Sequence, residues 1–380
     1  MPYFSNRSVN RINLHYGLHM LGWNFFFSFF IVFLISQGFS PTAAILTFTA
    51  MLSLRMIFRP LILFAAPRVG LHRTIIVGLI LCMFQYMLFA RMKGIDAFFF
   101  AFCVLQALSD CFFWTSFHSI FAIVGDNSHR GKQVGIREVF ATSTAIVSPL
   151  LGGWLLDHVG QHVTFGLAAA CDLLAIIPIL GLPPIRVPAK IPEGLFKAGR
   201  SAIALFTTDA WIYTGFGMVW GIVLYTGAGR GFTAFGGALT LAAIVSVMGG
   251  VVLGRFIDKG HGPRAVVMSA VLLTAAILFR ATAQPTFVSV YGVAMASALV
   301  TASYNPTLMT ALYTVISKAQ SPFHLVFMME YGWDIGGILG TLACAALIHF
   351  GAPFGFAIAL ALFAVPFQAF LLRRYYKNRD

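Results

Sequence analysis

Apolar runs long enough to cross a bilayer follow one another along almost the whole chain, separated by short segments of glycine, proline and basic residues. A helix needs roughly 20 residues to traverse the ~30 Å hydrocarbon core. On that measure the pattern predicts helices at 13–37, 42–66, 73–92, 96–123, 134–156, 162–182, 206–227, 232–254, 264–282, 286–313, 323–348 and 353–372. Pro306 interrupts the tenth, where Tyr304-Asn305-Pro306 frees a backbone carbonyl that only protein or water can satisfy. The first run is too long for a signal-peptide core and lacks a small-residue cleavage site, so it reads as a retained helix.

Composition agrees with the pattern. Of 380 residues, 59% are apolar and 10% charged, and the mean hydropathy is +0.86. A soluble globular chain runs at about 45–50% apolar and about 25% charged. Water-soluble, disordered, collagen-like and disulfide-scaffold classes are therefore excluded, and an all-α polytopic membrane protein remains. Cys82, Cys103, Cys111, Cys171 and Cys344 all fall inside apolar runs without a CxxC pair, and read as small buried hydrophobes.

A net charge of +13 would suggest nucleic acid as partner in a soluble protein, but here placement matters more than total. With the N-terminus inside, eighteen of the 25 Lys and Arg fall in inner segments. Four, Arg91, Lys93, Arg230 and Arg280, fall in outer loops, and Arg55, Arg59 and Arg137 lie in or at the edge of helices. The positive-inside rule then places both termini in the cytoplasm of a multi-pass protein, with the bilayer as partner and no nucleic acid. The expected setting is a bacterial cytoplasmic membrane, and the chain is expected to act as a monomer.

One polar interruption is longer than the rest, from Gly181 to about Ala204, with Pro183, Pro184, Pro188 and Pro192 among Arg186, Lys190, Lys197 and Arg200. It reads as a cytoplasmic linker with an amphipathic turn near Leu195 and Phe196, and six predicted helices lie on either side. The division expected is 1–182, a linker at 183–204, and 205–380.

Two basic turns support a duplication. Residues 64–78 read FAAPRVGLHRTIIVG and residues 251–267 read VVLGRFIDKGHGPRAVV, each after an even-numbered helix. The second resembles the G-x-x-x-D-R-x-G-R-R loop of the major facilitator superfamily through Gly254, Asp258, Lys259, Gly262 and Arg264, with one extra residue before the second glycine. The first keeps Arg68, Gly70 and Arg73 but has Pro67 in place of the acid and Leu63 in place of the leading glycine. Residues 130–153, RGKQVGIREVFATSTAIVSPLLGG, are similar to the superfamily's fifth-helix G-x-x-x-G-P-x-x-G-G stretch at Pro149, Gly152 and Gly153, while Thr144 and Ser148 replace glycines. Gly332, Gly336 and Gly340 form a comparable strip in the eleventh helix. Small residues of this kind let helices approach closely, a packing role that suffices for each glycine taken alone.

The resemblance implies two pseudo-symmetric six-helix bundles around a central cavity, latched on the cytoplasmic side by the basic turns, with Asp258 in the intact one. It also implies that the first, fourth, seventh and tenth helices line the cavity. Candidate substrate contacts there are Asn24, Gln106, Asp110, Trp114, Tyr213, Trp220, Tyr304 and Asn305.

Ionisable residues inside the membrane are the most informative positions, since each costs about 2.5–3.5 kcal/mol at a helix centre. Arg55 and Arg59 share one face of the second helix, and Glu330 and Asp334 share one face of the eleventh. In the resembling fold these helices face each other, so two arginines opposite two acids is the least costly burial of all four. A static ladder and a gate that breaks and reforms both fit, as does Arg55 holding a substrate carboxylate or phosphate. Asp110 sits in a stripe with Gln106, Trp114 and His118, each four residues on, near the bilayer midplane. No lysine or arginine shares its helix, leaving proton exchange, substrate contact or a hydrogen bond to a neighbouring helix as its roles. Asp172 and Asp209 read as groups near helix ends, and His15 and His19 as a polar pair near the cytoplasmic interface.

No Walker loop, nucleophile elbow, zinc signature or dinucleotide fingerprint is present, so neither an enzyme nor a metal or cofactor protein is expected. The function expected is secondary active transport of a small organic solute by alternating access, with protons as coupling ion and direction open. A non-transporting sensor or assembly factor on the same fold is the alternative, disfavoured because a retired site gains stability by losing its membrane-buried charges.

Overall fold

The computed structural model describes residues 6–126, 129–257, 262–302 and 304–377, with the backbone alone for 250–257 and 262–263. Asp258 and Lys259 of the second basic turn lie outside the described residues. Among those described there is no strand.

Among the described residues, eleven helices are long and apolar enough to cross a membrane. A twelfth crossing, seventh in order, is assembled from Leu195–Tyr213, a π-helical stretch Thr214–Val219 and Trp220–Gly227. The first span runs Arg7–Ser36, and the third to sixth are Leu71–Phe89, Ala97–Val124, Arg130–His158 and Gln161–Leu180. The second is Pro41–Phe58 continued by Pro60–Val69. Its break falls where Pro60 lacks the N–H that would continue the ladder, directly after Arg59. The eighth is Phe232–Ile257, the ninth Gly262–Ala281, the eleventh Pro322–His349, and the twelfth Phe354–Lys377. The tenth divides into Phe287–Thr301 and Tyr304–Ser317, so Pro306 sits in the first turn of a new helix, where its missing donor costs nothing.

Two boundaries differ from expectation for local reasons. The first span starts a turn and a half early because Asn6 caps it, accepting from the Val9 N–H at 3.1 Å. The seventh starts at Leu195, inside the expected linker: Gly194 at φ +73° opens the helix, and Leu195, Gly199, Ala202 and Leu205 bury one face. The ninth ends at Ala281, close to its expected end, so Arg280, counted above with the outer loops, lies inside a membrane span.

The first span packs on the fifth and sixth, and the third on the fourth and sixth. In the second half the seventh packs on the eleventh, the eighth on the tenth, and the ninth on the tenth and twelfth. The halves meet where the fifth crosses the eighth and the second crosses the eleventh. Glycine makes the first crossing possible: a Cβ on Gly153 would collide with the Phe232 carbonyl, and one on Gly236 with that of Pro149. Gly332 and Gly336 likewise seat the eleventh span against backbone of the seventh at Ile203 and Thr207. Large apolar side chains such as Leu180 (70% exposed) and Phe64 (62%) form the outer surface, as lipid contact demands.

Candidate functional site

Between the halves lies a cavity of about 230 Å³. Its polar wall carries Arg55, Asp110, His118, Arg137, Asp209 and Glu330, and its apolar wall is largely aromatic, with Trp23, Trp114, Tyr213 and Trp333. Each of the first, second, fourth, fifth, seventh, tenth and eleventh spans supplies part of it.

Five buried charges form one network on this wall. Arg55 Nε donates to Asp334 Oδ1 at 2.5 Å, and its Nη1 to Asp110 Oδ2 at 3.2 Å. Arg59 donates to Asp334 Oδ2 through Nε at 2.9 Å and Nη2 at 2.5 Å, and through Nη1 to Glu330 Oε2 at 3.4 Å. The Arg55 guanidinium also lies over the Trp333 ring, 4.9 Å from its centroid. Two arginines and three acids leave the network one negative charge in excess when all are ionised, and Asp110 Oδ1 has no hydrogen-bond partner. The arginines of the second span and the acids of the eleventh are thus in contact across the halves. Asp110 also finds a cation, from the second span and not from its own helix.

A second polar cluster closes the cavity toward the face that carries both termini. The Tyr313 hydroxyl is 2.6 Å from His118 Nδ1 and accepts from Arg137 Nη1 at 2.8 Å. Arg137 also binds the Glu138 carboxylate, whose other oxygen accepts from Asn305 Nδ2 at 2.8 Å. On the opposite face the halves meet through Thr49 and Thr341, whose hydroxyls are 2.8 Å apart. There too Asp157 accepts from the Thr233 N–H at 2.7 Å. Inter-half contacts therefore lie on both sides of the cavity.

Of the residues expected to line the cavity, Asp110, Trp114, Tyr213 and Asn305 do so. Asn24 and Trp220 instead line a neighbouring cavity of about 260 Å³ that shares Phe27 and Tyr213 with the first. Gln106 is buried off the wall, with both amide atoms unpartnered. Tyr304 reaches it only indirectly, donating its hydroxyl to Asp209 Oδ1 at 2.8 Å.

Two expectations are corrected. Asp172 and Asp209 are not helix-end groups. Asp172 is fully buried mid-helix with its Oδ1 2.8 Å from His19 Nδ1, and the early start of the seventh span carries Asp209 deep into the membrane. His15 and His19 do not sit at an interface: both are fully buried beneath the fourth and sixth spans, because the first span begins at Arg7. Sequence reasoning passed over Arg137, Tyr313 and Trp333. Arg137 had a signal, being an arginine in an apolar run, but nothing in its spacing named Tyr313 as its partner.

Comparison with known proteins gives the fold a class. The chain belongs to the Major Facilitator Superfamily, whose family profile matches residues 13–229. Its fold is that of a multi-pass membrane protein of that superfamily. A stretch of 104 residues is 31% identical to the enterobactin exporter EntS of Salmonella typhimurium, covering 27% of this chain and 21% of that protein. Over 86 residues it is 34% identical to the same exporter of Salmonella paratyphi A, covering 23% of this chain and 20% of that one. The chain thus matches about a fifth of the length of these curated relatives. The human organic anion transporter TETRAN superimposes with a TM-score of 0.70 at 13% identity, covering 98% of this chain and 99% of that one. The Escherichia coli fucose:proton symporter does so with 0.62 at 15% identity, covering 100% and 99%.

Proposed function

We propose that this protein is a secondary active carrier that moves a small organic solute, coupled to protons, by alternating access. The six spans before Gly181 and the six from Leu195 onward rock about the cavity as two halves, with the segment between them as the joint, both termini in the cytoplasm and the chain in a bacterial cytoplasmic membrane.

The observation that carries the reading is the charge network shared between the halves on the cavity wall. Separating the second and eleventh spans exposes charges that are buried only because they are paired. Asp110 is the proton carrier. It has one arginine contact, at 3.2 Å, while Asp334 engages both arginines. Its Oδ1 is buried without a hydrogen-bond partner on a cavity-wall residue, so an opening of the cavity is what would bring it to water or solute. Neutralising Asp110 leaves Arg55 paired with Asp334, so a proton can come and go without stranding a buried cation. Asn305 and Trp114 supply the polar and aromatic contacts to the solute.

The test is transport in proteoliposomes. Asp110→Asn should abolish accumulation driven by a pH gradient and spare solute exchange at equal pH. Gradient-driven accumulation retained in that variant would remove Asp110 as the proton carrier.

A further inference from the structure

The arginines that the first half buries in the membrane, Arg55, Arg59 and Arg137, each contact a carboxylate. Arg280, in the last turn of the ninth span, does not. Its side chain turns into the second half, where Nη1 donates to the Phe216 carbonyl at 2.6 Å and Nε to Ser297 Oγ at 3.0 Å. The guanidinium lies 3.8 Å from the Phe216 ring centroid and 5.2 Å from that of Trp220. Phe216 belongs to the π-helical stretch of the seventh span. π-Turns inside helices are frequent at functional sites.

Among the described residues no acid comes within ion-pair distance of Arg280, which leaves its charge unneutralised. A guanidinium has five N–H donors, and the two bonds above leave three without an acceptor there. Arg280 also lines two cavities at once. One is the 260 Å³ space between the halves with Asn24, Ser28 and Trp220 on its wall. The other, of about 630 Å³, is bounded by 280–285 and 353–356 at the face opposite the termini. A cation without a counter-charge, with spare donors, on the wall shared by a vestibule and an inner cavity is built to receive an oxyanion.

We propose that Arg280 is an anion-binding site and that the solute is a small organic anion. Its carboxylate or comparable oxyanion docks on the free guanidinium edge while its apolar body lies against Trp220 and Tyr213. The proposal rests on the transport reading for the site's purpose and deepens it by naming the solute class. A lipid headgroup phosphate offers the same chemistry from the vestibule side, and the test separates the two.

The full chain, purified into nanodiscs of neutral phosphatidylcholine, is titrated with phenylacetate and with phenylacetamide, which matches its shape without the charge. The carboxylate should bind at least about tenfold more tightly than the amide, as a charged hydrogen-bonded pair warrants. Arg280→Gln should erase that preference. Ser28→Trp, which fills the inner cavity and leaves the bonds of Arg280 untouched, should abolish binding. Equal binding of acid and amide, an undiminished preference in Arg280→Gln, or binding retained in Ser28→Trp would overturn the proposal. So would the absence of phenylacetate binding together with a stabilisation that appears only in phosphatidylglycerol discs and depends on Arg280. Because binding is read without flux, the two readings fail separately. Arg280-dependent binding in a chain that moves no solute contradicts only transport, whereas flux with no preference for anions contradicts only the anion site.

Discussion

Arg55 of the second span and Asp334 of the eleventh are joined through Nε at 2.5 Å, although 279 residues separate them in the chain. Asp334 binds Arg59 as well, so one fully buried carboxylate holds two cations from the other half of the molecule. Around it the acids are unequal. Glu330 takes one longer contact from Arg59 and lies 3.7 Å from His118 Nε2, and Asp110 takes a single contact from Arg55.

That inequality predicts an order of cost. Asp334→Asn leaves two buried guanidinium groups short of charge, and should destabilise the protein by about 3–5 kcal/mol in detergent unfolding. Glu330→Gln removes one partner of Arg59, which Asp334 still holds, and should cost no more than about 1–2 kcal/mol. A Glu330 variant as damaged as the Asp334 variant would mean that the network is not centred on Asp334.

The crossing of the fifth and eighth spans predicts a bias in conformation. Gly236 sits against the Pro149 carbonyl with no room for a side chain. Gly236→Leu should hold the halves apart on the face opposite the termini. A cysteine placed at Ser28, on the wall of the inner cavity, should then react faster with a membrane-impermeant thiol reagent applied from that face. The native cysteines are all buried and do not interfere. Unchanged labelling of Ser28→Cys would show that this crossing does not close the cavity.

How much of this was legible in the sequence divides along physical lines. Twelve apolar runs are local facts, so the spans were readable, and so was a division of the tenth close to Pro306; the division itself falls just before Tyr304. The pairing of Arg55 and Arg59 with the acids of the eleventh span was readable too, because four matched charges in an apolar medium have few other solutions. Single residues were harder. Asp209 looked like a helix-end group because the prolines before it hid a helix that starts at Leu195. Arg280 looked like a loop residue because an arginine beside a turn normally reaches out to water. Its partner is a carbonyl in a π-helical stretch, and backbone geometry of that kind leaves no mark in residue type.

If the halves rock about the charge network, the two faces must open in turn. Spin labels at Val159 and Arg230 report the face opposite the termini, and labels at Arg73 and Lys318 report the terminal face; all four sites are exposed. Double electron–electron resonance in nanodiscs should give two distance populations for each pair. The first pair should lengthen as the second shortens when pH is varied, and Asp110→Asn should fix that balance. One unchanging distance for each pair, or both pairs lengthening together, would contradict alternating access in this protein.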